Sequence, residues 1–348
     1  MPQTEIDPFQ ALTAYAIGTV ARITPAGGTA GKTWKVETPS RDYFLRLRGV
    51  RTSSEARLAF DHGLRDHLVA NGVPTAATLE ALDGSRWLRR EEGVFELYPF
   101  VEGRLFDPKS LSEVANAGKG LADYHRVASE YTPPSSEREP IAQYTTLGFS
   151  DAVSDRIDDP LLQRANIEAV RDLADTSRDR ELVDRCLARA EGLIERYSGA
   201  AFDDLTGWVI HGDYTPANLL FSDAGDVAGI FDLDWALPGA RCRDVADGLY
   251  FFATVPREII SADIWSLTDA AEFDRERCRT FLDAYQQADP LSSRELDAIP
   301  MAFAGRWLSI RLEGMAKVDP DERFRFFSRG VEEPLLWLDR SWEELLKG

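Results

Sequence analysis

At 348 residues and 44% hydrophobic, the chain is long enough for two substantial cores, and it carries no repeat or low-complexity tract. A formal charge of −19 argues against duplex nucleic acid as a partner, because phosphate binding needs a basic surface. No apolar run approaches the roughly 18–20 residues of a membrane span, no charged-then-apolar leader is visible, and Cys186, Cys242 and Cys278 are spaced as reduced thiols; a soluble cytoplasmic protein is expected.

In chain order, Ala26-Gly-Gly-Thr-Ala-Gly31-Lys32-Thr33 nearly reproduces a Walker-type phosphate loop, with Ala26 where the first glycine belongs. Such a loop must feed a helix whose N-terminus receives the phosphates. Residues 34–38, a turn at 39–42 and residues 43–48 read instead as strand, turn, strand. The segment is therefore a glycine-rich hairpin, in which the amides of Gly27, Gly28 and Gly31 can approach an anion because no Cβ intervenes. Lys32 and Lys35, two of only six lysines, fall in the same hairpin.

A helical, charged pattern follows from Glu55 to Leu68, and Gly72-Val-Pro74 ends it. Strand-like runs at 78–82, 85–90 and 94–101 lead into Glu102-Gly103. Residues 111–127 have apolar positions at helical spacing, and His125 among them is expected as a packed helix histidine, since no second His or Cys lies at ligand spacing. Residues 132–140 read as a loop, 160–197 as a charged amphipathic helical insertion, and 273–288, 296–317 and 334–346 as further helices.

The segment with the most chemistry lies between these helical regions. His211-Gly-Asp213-Tyr-Thr-Pro-Ala-Asn218-Leu-Leu-Phe is followed by Ile230-Phe-Asp232-Leu-Asp234-Trp235. Gly212 permits a tight turn and Pro216 prevents a continuous helix, so Asp213 and Asn218 are expected on a rigid loop. Residues 219–221, a turn at 222–226 and residues 227–231 read as a hairpin that returns Asp232 to the side of Asn218. Two carboxylates and an amide at loop-strand junctions, flanked by apolar strands, form the polar set that holds two Mg²⁺ ions and orients a hydroxyl in phosphoryl transfer.

HGDYTPANLL, followed by GIFDLDWALPG and RDVADGL, resembles the aminoglycoside phosphotransferase and choline kinase superfamily, which includes type II homoserine kinases, methylthioribose kinases and a bacterial stress-response kinase. The resemblance runs from about residue 24 to 249 and is strongest over 211–248. It implies an α+β, bilobal protein-kinase-like fold. A small antiparallel-sheet N-lobe, residues 1–98, would bind nucleotide, and a large, mainly helical C-lobe, residues 99–348, would carry catalysis and acceptor binding, with a helical insertion at about 141–205.

The resemblance further implies ATP and Mg²⁺ as cofactors, Asp213 as the catalytic base or hydroxyl-orienting acid, Asn218 and Asp232 as metal ligands, and Asp244 as a structural acid bracing the loop. The hairpin of Gly27, Gly28, Gly31 and Lys32 becomes a lid over the nucleotide. Arg46 occupies the strand position often held by Lys, helix register favours Asp61 as its acidic partner with Glu55 next, and the backbone around Leu97, Tyr98 and Phe100 would meet the adenine edge.

The implied acceptor is a hydroxyl of a small molecule: an amino alcohol, amino acid, sugar or aminoglycoside. Its candidate contacts are Asp234, Trp235, Arg311 and Glu313, the acids suiting a cationic acceptor and Arg311 a carboxylate. The acidic charge suits attraction of a cationic acceptor or, more simply, a lysine-poor, solvated surface. A protein Ser/Thr kinase, or a non-catalytic nucleotide-binding scaffold of the same fold, are the alternative readings; the intact Asp213, Asn218 and Asp232 argue against the scaffold.

Overall fold

Near the N-terminus Asp7 caps a short helix, α1 (Pro8–Leu12), by accepting from the Phe9 amide. Strands β1 (Arg22–Pro25), β2 (Lys32–Glu37), β3 (Asp42–Arg48), β4 (Leu88–Arg90) and β5 (Gly93–Pro99) then form one antiparallel sheet in the order β1-β2-β3-β5-β4. This is a computed structural model, and it describes residues 6–26, 32–133, 144–145, 153–154, 156–256, 264–269 and 272–347.

Strand alternation gives the sheet two chemically different faces. Trp34, Val36, Tyr43, Leu45, Leu47, Phe95 and Leu97 build one apolar core with Ala11, Leu12, Tyr15 and Ile17. The other face carries Arg46 and Arg48 of β3 and Glu96 and Tyr98 of β5, with Arg46 opposite Glu96. Helix α2 (Glu55–Ala70), capped by Ser54, lies against this charged face through Asp61 and His62. The strand expected at 78–82 does not form. Leu79 gives one hydrogen bond to the Leu97 carbonyl, but the Thr78 hydroxyl meets His62 and Arg86 instead, so side-chain partners replace a ladder.

The remainder is mainly helical: α3 (Leu111–Ala128), α4 (Pro160–Val170), α5 (Ser177–Arg196), α6 (Gly199–Asp203), α7 (Cys242–Phe252), α8 (Arg275–Ala288), α9 (Ser293–Gly314), α10 (Arg323–Ser328) and α11 (Glu333–Leu346). Three short antiparallel pairs join them: β6 (Tyr144–Thr145) with β7 (Val153–Ser154), β8 (Trp208–Ile210) with β11 (Leu237–Gly239), and β9 (Leu219–Phe221) with β10 (Val227–Ile230). The patterned stretch at 160–197 is two helices, because Thr176 and Asp179 make a reciprocal capping box that starts α5 afresh.

Helix α9 is apolar around most of its circumference and runs through the middle of the larger core. Pro300 within it has no amide to give the Leu296 carbonyl, and the Trp342 indole N–H, 3.1 Å away, donates to that oxygen instead. Helices α3 and α8 touch through Gly118, where any Cβ would run into the Phe281 carbonyl. Arg104 exchanges two 2.8 Å backbone hydrogen bonds with Phe221, tying the segment after β5 to the β9-β10 hairpin. Among the described residues no helix is long and apolar enough to cross a membrane. All three cysteines are buried and free.

Candidate active site

The loop after β8 is held by backbone chemistry. Gly212 sits at φ +81°, a conformation that disfavours side chains, and an added Cβ would collide with the Trp235 carbonyl. Asp244, at the start of α7, accepts from the amides of His211 (2.5 Å) and Gly212 (3.0 Å) and from His125 Nε2 (3.0 Å). Burial opposes the Asp244 charge, but the His125 hydrogen bond and nearby Arg243 outweigh it and draw the carboxyl down to about 2. His125 meets Tyr285 through its other nitrogen at 2.7 Å and is thus a packed helix histidine. His211 points Nε2 at the Phe231 carbonyl, 2.8 Å away, and its Nδ1 accepts from the Asp213 amide.

One 3₁₀ turn, Pro216–Asn218, folds Asn218 back onto Asp213. Its amide nitrogen donates to the Asp213 carbonyl at 2.8 Å and to Oδ2 at 3.0 Å, which turns the amide oxygen into the group a cation could use. The β9-β10 hairpin returns as expected, and the Phe231 amide donates to the Asn218 carbonyl at 2.9 Å. Asp232 follows in the left-handed region at φ 59°. Burial raises the Asp232 carboxyl to about 6; Arg46 pulls it down, while Asp234 and Asp213 push it further up. Asp213, Asn218 and Asp232 are therefore brought together.

Sequence reasoning missed the groups that hold Asp213 from the other side. Arg306, on α9, donates from Nη2 to Asp213 Oδ1 at 2.9 Å and from Nε to Asp247 Oδ1 at 3.1 Å. Arg243 donates to Asp247 at 2.9 Å, to Asp158 at 2.9 Å and to the Gly212 carbonyl at 2.5 Å. Burial lifts the Asp247 carboxyl to about 6 despite both guanidiniums. The available signals were Arg243 and Asp247 at i,i+4 in a helix whose other residues, Asp244 apart, are uncharged, and a lone arginine in the apolar stretch 301–310.

The cation on β3 does not pair as expected. Arg46 grips Asp234 with both terminal nitrogens, at 2.9 and 2.7 Å, and reaches Asp232 at 3.1 Å. Asp61 is taken by Arg48 at 2.6 Å and Arg65 at 2.7 Å, and these guanidiniums hold its buried carboxyl far below the usual range. Asp61 thus meets the arginine two residues along the same face of β3 from Arg46. Glu55 lies near exposed Arg89, 3.9 Å apart.

Gly27, Gly28 and Gly31 lie outside the described residues, and Lys32 is exposed at the start of β2. The Leu97 side chain belongs to the outer core and its carbonyl accepts from Leu79, Phe100 gives its amide to the Asp42 carbonyl, and Tyr98 packs over Arg65. Asp234 faces the sheet arginines Arg46 and Arg48. Arg311 is fully buried 3.6 Å over the Trp307 ring, donating to the carbonyls of Arg329, Gly330 and Thr268, so it is structural. Trp235 is half-buried beside Gly212, and Glu313 is half-buried two helical turns beyond Arg306.

Among the described residues no three His, Cys, Asp or Glu side chains converge as a self-sufficient metal cage. Asp232 and the Asn218 amide oxygen are donors of the kind Mg²⁺ takes, since that ion is usually held by one or two carboxylates completed by phosphate oxygens and water. Burial, with a smaller push from Asp234 and Asp213, raises the Asp232 carboxyl against the pull of Arg46, and a divalent cation at that carboxylate would favour its charged form.

The profile of the phosphotransferase enzyme family, APH, matches residues 22–291. A homoserine kinase of Parvibaculum lavamentivorans is 26% identical over 96% of each chain. Among solved structures, a microcompartment-associated aminopropanol kinase superposes with TM-score 0.69 at 16% identity, covering 97% of both chains. An amicoumacin kinase in complex with AMP-PNP, Ca²⁺ and its Ami ligand gives TM-score 0.66 at 14% identity, covering 94% of this chain and 91% of that one. These likenesses support the expected two-lobed kinase-like fold.

Proposed function

The chain belongs to the phosphotransferase enzyme family APH, and from that premise we propose that it moves the γ-phosphate of ATP to a hydroxyl of a small molecule, with Mg²⁺. The observation that carries this reading is the convergence of Asp213, Asn218 and Asp232 on one loop and hairpin. In it, residues 1–98 receive the nucleotide and residues 99–348 carry catalysis and the acceptor. The AMP-PNP and Ca²⁺ held by the amicoumacin kinase support nucleotide-metal chemistry in this fold. Homoserine kinases as relatives along the whole chain favour hydroxy amino acids as the first acceptors to test.

Asp213 receives or orients the acceptor hydroxyl proton, with Asn218 on one carboxylate oxygen and Arg306 on the other fixing its plane. Asp232 and the Asn218 amide oxygen would hold the metal, which would supply positive charge to the phosphate oxygens. Arg46 supplies positive charge from the sheet side. Little covalent work is left to the protein, so positioning and charge account for most of the acceleration.

Acceptor-dependent ADP release with Mg·ATP, over hydroxy amino acids, amino alcohols, sugars, nucleosides and aminoglycosides, tests the reading. Activity with one class, reduced on the order of 10²-fold or more in Asp213→Asn, is expected. Nucleotide binding without ADP release in any class would favour a scaffold instead.

A further inference from the structure

The cation of β3 and the acid that normally steadies it have exchanged partners in this chain. In the kinase fold, the strand cation pairs with an acid on the following helix. Here the helix acid, Asp61, has one oxygen on Arg48 and the other on Arg65. The Arg46 guanidinium meets Asp234 and Asp232 and not this carboxylate. Instead, the Arg46 fork closes on both oxygens of Asp234, two residues beyond the metal-site acid Asp232. The Thr52 hydroxyl donates to Asp234 Oδ2 at 2.9 Å, and Arg48 Nη2 lies 2.9 Å from Oδ1. Arg57 fastens the same turn through the carbonyls of Leu233 and Ala236, both at 2.5 Å.

We propose that Asp234 is the positioning residue for Arg46, fixing the phosphate-facing cation from the C-lobe side and joining the two lobes at the metal site. The proposal rests on the nucleotide-binding reading given above. It also gives a use for arginine at a strand position where protein kinases carry lysine. A guanidinium can keep two parallel hydrogen bonds to Asp234 while one nitrogen is shared with Asp232, whereas a single ammonium offers no such fork. When a metal nucleotide takes Asp232, the 3.1 Å Arg46–Asp232 contact is the one to be exchanged, and the bidentate Asp234 contact keeps the guanidinium in place.

A role exercised through Arg46 predicts a particular pattern of non-additivity. Dissociation constants for ATP, measured calorimetrically with and without Mg²⁺, and melting temperatures would be compared for the wild type, Asp234→Asn, Arg46→Gln, the double variant and Asp61→Asn. Asp234→Asn is expected to weaken ATP binding about tenfold or more in both conditions, and the double variant should bind no worse than Arg46→Gln alone. Asp61→Asn should lower the melting temperature and change ATP affinity by no more than about threefold.

Should Asp234→Asn not fold, the double variant, which removes both buried charges, and the charge-keeping Asp234→Glu take its place. Asp234→Glu should bind ATP more weakly than wild type, and more tightly than the double variant. A multiplicative loss in the double variant, or wild-type ATP affinity in Asp234→Asn or Asp234→Glu, would overturn the proposal. Failure of the folded wild-type protein to bind ATP would overturn the nucleotide reading, and this inference with it.

Discussion

Arg306 donates to Asp213 Oδ1 across 2.9 Å while Asn218 holds Oδ2 at 3.0 Å, so the carboxylate expected to meet the acceptor is clamped from both sides. The same guanidinium reaches Asp247, which ties the clamp to α7. Removing it leaves Asp213 held by Asn218 alone and Asp247 by Arg243 alone.

Arg306→Ala should therefore lower kcat by about 10²-fold and leave the ATP KM within about twofold, because misplacing a reacting group costs roughly that much. Arg306→Lys, which keeps the charge and loses the two-acid bridge, should fall between. Steady-state kinetics with the first acceptor found decide the matter; an unchanged kcat would remove Arg306 from the site.

Mg·ATP should stabilise the fold, and Asp232→Ala should abolish most of that gain while Asp213→Ala keeps it. A ligand present at 100 times its dissociation constant adds about 2.7 kcal/mol. Thermal melts with and without Mg·ATP measure the difference. Equal loss in both variants would merge the two roles assigned here.

Asp244 is drawn down to about 2 in the fold, below the ordinary carboxylate value near 3.9. A depressed acid stabilises the fold above its unfolded value, and that contribution, on the order of 2–3 kcal/mol, is lost as pH falls from about 4 to 2. Asp244→Asn should be less stable at pH 7, and its gap from wild type should narrow through that window. Denaturant melts at several pH values check this; a gap independent of pH would argue that only the hydrogen-bond geometry matters.

Arg311→Ala should lower stability by about 2–5 kcal/mol, since it opens a buried volume and leaves three carbonyls short of a donor. Its acceptor KM should match wild type. A raised acceptor KM with an unchanged melting temperature would return Arg311 to the substrate site.

The 211–218 loop and its hairpin were legible in the sequence because their geometry is local. Gly212 makes the turn, Pro216 starts one 3₁₀ turn, and the β9-β10 hairpin brings Asp232 back to Asn218 within a few residues. Alternation likewise put Arg46 and Arg48 on one face of β3, and helical spacing announced the helices that bury the C-lobe core. Partner choice was a different matter. Arg46 and Asp234 are 188 positions apart, and Asp213 and Arg306 are 93 apart. Which arginine an acid meets depends on how helices α2 and α9 lie against the sheet and loop, a packing outcome to which spacing is blind. The same packing sent Arg311 into the core against Trp307 and turned Asp234 toward the sheet, because a buried charge settles wherever the assembled fold supplies opposite charge or carbonyl oxygens.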